Sequence, residues 1–194
     1  MTKQADQFAE WMKAHFGVLH RISRAFAEPA DQHDLVQELS IAVWKAIPAF
    51  RGESGAVTFI YRVAHNRAMT WRRRESRHRS RSAEADGEWS RREPGGDDGE
   101  ALLLEALYAA VRKLPPLDRS LVLLSLEGLP YREIAQLHEL SETNVGARLT
   151  RARQQLSAQI EEDGHGLRTA GTGLAVQRQF ARASRQRLCH TGDA

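Results

Sequence analysis

The chain has 194 residues, of which 41% are hydrophobic, so it can bury a core, either in one domain or in two smaller ones. A single cysteine, Cys189, excludes an internal disulfide and a cysteine-based zinc site. The absence of an apolar run of membrane-spanning length and of a secretory signal predicts a soluble, cytoplasmic protein without membrane insertion.

Two amphipathic helices are predicted near the amino terminus, because apolar residues recur there at helical spacing. In the first helix these residues are Phe8, Trp11 or Met12, His15, Leu19, Ile22 and Phe26. The second helix is predicted to start near Asp31, a candidate cap, and to end at Pro48. Its inward-facing residues are Leu35, Leu39, Val43 and Ala46.

A third helix is predicted after the polar turn at residues 51–55, with Thr58 as its cap. Its inward-facing residues are Phe59 or Ile60, Val63 or Ala64, Ala68 and Trp71. Residues 62–81 include eight arginines against the single Glu75. A basic helix with polar and aromatic side chains can trap unstacked bases through stacking, edge hydrogen bonds and phosphate contacts.

The charge reverses in residues 82–100, which carry seven carboxylates against Arg91 and Arg92. This segment has little apolar content and contains Pro94 and several glycines. Such a composition is typical of a flexible linker. The net charge of +3 therefore conceals a basic segment followed by an acidic one.

Residues 130–156 predict two short helices around a tight turn, which is the pattern of a helix-turn-helix that binds duplex DNA. In the second helix, one stripe at helical spacing is apolar and seats the helix: Val145, Leu149, Ala152 and Leu156. A second stripe, roughly a quarter-turn away, is polar and faces outward. It comprises Asn144, Arg148, Arg151 and Gln155.

Ser141 is the candidate N-cap of this helix, because its hydroxyl can accept a hydrogen bond from the amide of Thr143 or Asn144. Arginine can bind guanine and asparagine can bind adenine in the major groove, so Asn144 and Arg148 are the candidate base readers. Any one of these residues alone would be interpreted as an ordinary solvated side chain. Four of them on one stripe after a capped turn favour DNA binding.

The turn of the predicted helix pair has Glu139 where such turns usually contain glycine. Glu139 must either adopt a costly backbone conformation or belong to a different turn. After the helix pair, residues 164–194 carry five arginines and one carboxylate, Asp193, without clear periodicity. Disorder is the simpler interpretation of this tail, with docking on nucleic acid or on a partner as the alternative.

No stretch alternates as a strand should, so the predicted fold class is all-α. We expect two small helical domains, residues 1–81 and residues 101–161, the second of which contains the helix-turn-helix. Residues 82–100 form the flexible acidic linker between them, and residues 162–194 form a disordered basic tail.

Two separate segments resemble bacterial RNA polymerase sigma factors of the extracytoplasmic-function (ECF) type. Residues 34–75 resemble their conserved region 2, and residues 114–156 resemble their region 4. The most diagnostic pieces are Asp34-Leu35-Val36-Gln37-Glu38, Ala49-Phe50-Arg51-Gly52, Tyr61-Arg62-Val63-Ala64-His65-Asn66, Leu114-Pro115-Pro116, Tyr131-Arg132-Glu133-Ile134-Ala135 and Arg148-Leu149-Thr150-Arg151-Ala152-Arg153. They occur in the family's order, with a linker between the two regions.

The resemblance implies a factor without an active site of its own, which binds core RNA polymerase and directs promoter-specific transcription initiation. The first domain would dock on the polymerase and capture the opened minus-10 element of promoter DNA. The second domain would bind the duplex minus-35 element. The resemblance also implies an anti-sigma protein as a partner, and no cofactor or metal.

The resemblance assigns site residues to three surfaces. The residues implied for the minus-35 element are Ser141, Thr143, Asn144, Arg148, Arg151 and Gln155. Those implied for the minus-10 element are Tyr61, Arg62, Asn66, Arg67, Trp71, Arg72 and Arg73, with Asn66 at the position that receives an everted base. Those implied for core polymerase are Asp31, Asp34, Leu35, Glu38 and Leu39. For the two aromatic residues, burial in the core is the commoner explanation at this spacing.

Two other classes of protein compete with this interpretation. A stand-alone helix-turn-helix regulator would bind duplex DNA as a dimer, without core polymerase. A metal-dependent nuclease could use Asp31, Asp34 and Glu38, although one exposed helical face is a poor platform for carboxylates that must converge on magnesium. The sigma factor interpretation is favoured because it explains both segments.

Overall fold

The computed structural model describes residues 3–82 and 99–163, with the side chains of residues 3–75 and 104–160. These ranges contain α-helices and short 3-10 turns but no strand, which confirms the all-α prediction. The chain divides into two compact units, Met1–Gly95 and Gly96–Ala194, here called the first and second domains. Most of the predicted linker, residues 83–98, and the predicted tail from residue 164 onward lie outside the described residues.

The first domain is a bundle of three helices, each of which contacts the other two. The helices are α1 (Lys3–Phe26), α2 (Gln32–Ala46) and α3 (Ala56–Ser82). Their apolar stripes meet in a core that includes Leu19, Ile22, Leu35, Leu39, Val43, Ile60, Ala64 and Ala68, each at most 1% exposed. The inward stripe predicted for α2 is therefore confirmed for its first three residues, while Ala46 is half-buried.

Two predicted helix caps of the first domain differ from the structure. Asp31 occupies the N-cap position of α2, but its side chain makes no capping hydrogen bond. Helix α3 begins at Ala56, so Thr58 lies inside the first turn instead of capping it. The amide of Phe59 donates to the carbonyl of Gly55 at 3.1 Å, which starts the helical hydrogen-bond pattern earlier than Thr58 would allow.

An aromatic cluster attaches the start of α3 to α1. The rings of Trp11 and Phe50 lie 5.0 Å apart edge to face, and Phe59 lies 5.0 Å from Phe50 and 5.8 Å from Trp11. Edge-to-face pairs at these separations are favourable beyond the area that they bury. The cluster therefore sets the position of α3, whose opposite side is exposed.

The second domain is built around one long helix, α7, which contacts the other three helices. The helices are α4 (Gly99–Lys113), α5 (Pro116–Leu126), α6 (Tyr131–His138) and α7 (Glu142–Asp163). The predicted apolar stripe of α7 is confirmed, because Val145, Leu149, Ala152 and Leu156 are at most 2% exposed. Helices α6 and α7 form the predicted helix pair.

The turn between α6 and α7 contains a strained residue. Glu139 has φ of 54° and ψ of 42°, which is the left-handed conformation. The amide of Leu140 donates to the carbonyl of Ala135 at 2.9 Å, so the strained residue closes the end of α6. Of the two alternatives for Glu139, the costly backbone conformation is the one that the structure adopts.

Replacing Glu139 by glycine is expected to stabilise α6 and α7 by up to about 1 kcal/mol. The left-handed conformation costs a residue with a Cβ about 1–2 kcal/mol, of which the greater chain entropy of glycine offsets a part. Hydrogen exchange of α6 and α7 amides in the full chain measures the change. As a control, Gln136→Gly at an exposed position of α6 should lower the stability of the same helices by about 1 kcal/mol. Equal destabilisation by both changes would contradict the strain argument.

Burial lowers the pKa of His138, the last residue of α6, from its ordinary value of 6.5. The unfolded chain therefore binds the proton at a higher pH than the folded chain does. The stability of the second domain is expected to be fully present above about pH 6.5 and to decline as the pH falls below it.

This decline should be shallower in His138→Gln than in the unchanged protein when unfolding is measured between about pH 7.5 and pH 5.5. Gln136→Ala, which changes an exposed and uncharged side chain of the same helix, should keep the unchanged protein's pH dependence. If the two substitutions give the same pH profile, burial of His138 does not govern the decline.

Candidate DNA-binding and polymerase-binding surfaces

The amino-terminal end of α7 is capped as predicted. The hydroxyl of Ser141 accepts a hydrogen bond from the amide of Asn144 at 3.2 Å. The carbonyl of Ser141 accepts another from the amide of Val145 at 3.0 Å. These bonds hold the first turn of α7, from which an amphipathic helix would present its side chains to a DNA groove.

The exposed side of α7 opposite its buried stripe is here called the recognition face, and comprises Thr143, Asn144, Ala147 and Arg151. The spacing of 143, 147 and 151 places these three positions one above another along the helix. Ala147 is absent from the residues predicted from sequence, because it carries no polar group. Its position on the helix, opposite the buried Val145 and Leu149, would have identified it as part of this exposed face. Gln155 is also exposed, one turn further along α7.

Arg148 lies at the flank of the recognition face and has a partner inside the domain. Its Nη1 atom donates to Asp118 Oδ1 at 2.9 Å, and the two side chains are 33% and 15% exposed. The Nε atom of Arg148 is buried and finds no hydrogen-bond partner within the described ranges. Arg148 therefore braces α7 against α5, and its role as a base reader stays a prediction. Of the predicted polar stripe, Asn144, Arg151 and Gln155 are exposed, whereas Arg148 is half-buried.

The outer side of α3 carries the candidate residues of the first domain. Arg62, Asn66, Thr70 and Arg73 are all exposed and follow one another at helical spacing, and they are here called the α3 face. The guanidinium of Arg62 lies 5.7 Å from the centroid of the Phe59 ring, a distance at which a cation and an aromatic face attract each other. Thr70 was missed by the sequence prediction, and its hydroxyl donates to the carbonyl of Asn66 at 3.0 Å.

Tyr61 does not share the α3 face. It is 2% exposed and its ring stacks on that of His65 at 6.0 Å, so we reassign it from the DNA-binding set to the core. The reason is rotational, since position 61 lies on the same side of the helix as Ala64 and Ala68. Trp71 is half-buried, and Arg72 is also half-buried at the edge of the α3 face.

Arg67 turns toward α2 and forms an ion pair with Glu38 through its Nη2 atom and Oε2 of the carboxylate. The two side chains are 39% and 25% exposed, so the pair lies at the rim of the bundle. A residue predicted to bind DNA and a residue predicted to bind polymerase are thus each other's partners.

The residues predicted to bind polymerase separate into two groups. Asp34 is on the surface, with a side chain 72% exposed and an Oδ1 atom 3.9 Å from Nδ1 of His33, and Asp31 is half-buried. Leu35 and Leu39 are 0% exposed. These two leucines point into the three-helix core and cannot contact a partner surface, so their assignment to polymerase binding is corrected.

An apolar groove of about 960 Å³ runs between α1 and α2, and sequence reasoning did not find it. Its apolar lining residues are Phe8, Phe16, Pro29, Val36, Ile41 and Trp44. Phe16 and Ile41 are 41% and 52% exposed, so both present apolar surface to solvent at the groove. Ile41 is an apolar residue off the buried stripe of α2, and this position was the sequence signal that could have revealed the groove. The groove belongs to the same helix that carries Asp34 and Glu38.

The described ranges hold neither a membrane-spanning helix nor a metal-binding cluster. None of the helices there combines the length and the apolar character that a membrane crossing requires. Within the same ranges, no three His, Cys, Asp or Glu side chains converge closely enough to hold a metal ion. The three carboxylates considered for a nuclease do not gather, because Glu38 pairs with Arg67 while Asp34 faces solvent beside His33.

The brace between Asp118 and Arg148 predicts a measurable coupling. Asp118→Ala and Arg148→Ala should each destabilise the second domain by about 1–3 kcal/mol, because each leaves a partly buried charged group without its hydrogen bond. The double variant should be destabilised by less than the sum, with a coupling of at least about 0.5 kcal/mol in hydrogen-exchange measurements on α5 and α7. Additive effects would mean that the contact contributes no stability.

Arg151→Ala provides the matched control for that cycle. Arg151 is exposed and its Nε atom donates only weakly to the carbonyl of Ala147, at 3.4 Å within the same helix. Its replacement should leave stability within about 0.5 kcal/mol of the unchanged protein.

Comparison with known protein families matches both domains separately. Residues 11–78 match the family model for sigma-70 region 2, and residues 104–156 match that for sigma-70, region 4. The first match contains α2 and most of α3, and the second contains α6 and the part of α7 up to residue 156.

Relatives match over most of their length. The ECF RNA polymerase sigma-E factor of Escherichia coli (strain K12) is 30% identical over 148 residues, covering 70% of this chain and 77% of the relative. The ECF RNA polymerase sigma-E factor of Haemophilus influenzae is 30% identical over 142 residues, covering 68% of this chain and 75% of the relative.

Two solved structures share the fold. One is the sigma factor RpoE from Bartonella quintana, in complex with the anti-sigma factor NepR. It has a TM-score of 0.63 and 18% identity, covering 80% of this chain and 97% of that one. The other is CnrH in complex with the cytosolic domain of CnrY, with a TM-score of 0.57, 23% identity, and 80% and 88% of the two chains covered. The chain belongs to the ECF sigma factors of RNA polymerase.

Proposed function

We propose that this chain binds core RNA polymerase and directs promoter-specific transcription initiation through two DNA-binding helices, α3 and α7. The observation that carries the proposal is that each region matched to the sigma-70 family presents an exposed helix face with side chains that can bind bases and phosphates. These are the α3 face in region 2 and the recognition face in region 4.

The recognition face of α7 binds the duplex minus-35 element. An α-helix is about 10–12 Å across with its side chains and fits the major groove, which is about 12 Å wide. Asn144 can bind adenine and Arg151 can bind guanine through paired hydrogen bonds, while the methyl group of Ala147 can contact thymine. Ser141 and Thr143, both exposed beside the capped turn, are placed to contact phosphate. Arg148 and Gln155 extend the same surface.

The α3 face binds the opened minus-10 element. Asn66 is exposed, so its amide can pair with the edge of a base that has left the stack. Arg62 and Arg73 flank it on the same side of the helix, where they can hold the phosphates of the strand. Arg72 lies beside them, and Arg67 becomes available if it leaves Glu38. Trp71 is half-buried and lies about half a turn from Arg62, so it does not share this surface.

Helix α2 docks on core polymerase through the carboxylates of Asp31, Asp34 and Glu38, with the buried leucines of the same helix supporting it from inside. The residues between the described parts of the two domains act as the linker. Two DNA-binding domains on one tether gain affinity through effective concentration, without any new contact.

The remaining features of the proposal follow the family. An anti-sigma protein controls the factor, as NepR and CnrY form complexes with the structural neighbours RpoE and CnrH. Sigma factors are transcription regulators, and we propose that this one works in the cytoplasm without catalytic activity, cofactor or metal of its own.

Transcription in vitro tests the proposal. The purified full chain is mixed with sigma-free core polymerase and a library of promoters, and the RNA 5′ ends are sequenced. The expected result is initiation from a defined subset of promoters. Specific duplex binding by a dimer, together with no initiation, would favour a stand-alone regulator and overturn the proposal.

Two asparagine variants separate the two DNA-binding helices. Asn144→Ala should weaken binding to the minus-35 duplex by about 1–3 kcal/mol and leave binding of a scrambled duplex unchanged. Asn66→Ala should retain minus-35 binding but lose open-complex formation, measured by permanganate reactivity of thymines. The assignment fails if both variants lose the same step.

A further inference from the structure

We infer that the Glu38–Arg67 ion pair masks a DNA-binding arginine in the free factor, and that docking on polymerase unmasks it. The inference rests on the proposed function of α2 and α3. Its structural basis is that one member of the pair lies on the docking helix and the other on the DNA-binding helix.

The position of Arg67 makes the masking effective. It follows directly after Asn66, but its side chain turns away from the α3 face toward α2. Its side chain is still 39% exposed, so the guanidinium can reach solvent without any change in the bundle. A change of side-chain rotamer would move it from Glu38 toward a phosphate bound near Asn66.

The carboxylate of Glu38 opposes DNA binding in two ways. It neutralises the charge of Arg67, and it repels a phosphate that approaches the same place. Charges separated by less than the Debye length, about 10 Å at 0.1 M salt, are not fully screened, so both effects act at working ionic strength. A basic surface on the polymerase would compete for Glu38 and release Arg67.

The Glu38–Arg67 ion pair can also be broken without loss of the fold. The core of the first domain is closed by fully buried apolar side chains on all three helices, such as Leu19, Leu39 and Ile60. The ion pair lies outside this core, at a partly solvated rim where such pairs contribute little to stability. Its location fits a contact that is made and broken.

The test measures binding of the free full chain to a fluorescent single-stranded minus-10 oligonucleotide by anisotropy, over a series of salt concentrations. Glu38→Gln should bind about threefold to fivefold more tightly than the unchanged protein, the equivalent of one exposed charge pair. Its plot of log K against log salt should be steeper by about 0.7, because one more phosphate is engaged on a single strand. Glu38→Ala should behave in the same way.

Controls isolate the pair. Glu10→Gln removes one exposed negative charge from α1 of the same domain and should leave the salt slope unchanged. The tighter binding of Glu38→Gln should depend on Arg67. In an Arg67→Gln background, adding Glu38→Gln should therefore leave the salt slope unchanged. In the holoenzyme at saturating core polymerase, the unchanged protein and Glu38→Gln should have equal slopes.

The outcomes are distinguishable. Equal slopes for the unchanged protein, Glu38→Gln and Glu38→Ala as free, folded chains would overturn the masking inference while leaving the proposed function intact. Persistence of the slope difference in the holoenzyme would also overturn it, because docking would not release Arg67. Failure of the holoenzyme to bind the oligonucleotide at all would instead count against the proposed function of α3.

Discussion

The second domain depends on the burial of one side of α7. Val145, Leu149, Ala152 and Leu156 are almost completely excluded from water, and α4, α5 and α6 all contact the helix that carries them. Burying a side chain such as valine or leucine contributes about 1.5–3 kcal/mol, so the stripe holds α7 in one rotational setting far more firmly than any surface contact could. That setting alone decides which residues reach the solvent. The helix proposed to bind duplex DNA is therefore also the helix around which its domain is packed.

In the first domain, too, a buried stripe fixes which side of a helix is exposed. Ile60, Ala64 and Ala68 seat α3, which leaves Arg62, Asn66 and Arg73 outside. In both domains, however, one arginine of the proposed DNA-binding helix is held by a carboxylate from the neighbouring helix: Arg67 by Glu38, and Arg148 by Asp118. The positive charge of these helices is thus not uniformly available. The first pair lies at a solvated rim, whereas Asp118 is only 15% exposed, so the second is the more structural of the two.

Helical periodicity in the sequence was sufficient to predict the all-α class, the buried stripe of α7 and the cap at Ser141. The errors among the site residues have one common source: matching a motif identifies a position but does not say which way its side chain points. Leu35, Leu39 and Tyr61 occupy motif positions and yet lie in the core. The Arg148 contact could not be inferred either, since its partner Asp118 is 30 residues away in the chain. For Glu139, sequence reasoning defined the choice between strain and a different turn, but only the backbone could decide it.

The recognition face is small, and this limits how sharply it can distinguish one promoter site from the other sites of a genome. Within Thr143, Asn144, Ala147 and Arg151, only Asn144 and Arg151 can form paired hydrogen bonds with a base, and each such pair discriminates by about 1–3 kcal/mol. Together they reach about 2–6 kcal/mol, whereas singling out one site among about a million competitors requires about 8 kcal/mol. The methyl group at position 147 adds little to this sum. With Arg148 held by Asp118 and Gln155 one turn further along, these two proposed base readers would narrow the sites on duplex DNA, and the proposed contacts of α3 with the opened strand would supply the remaining discrimination.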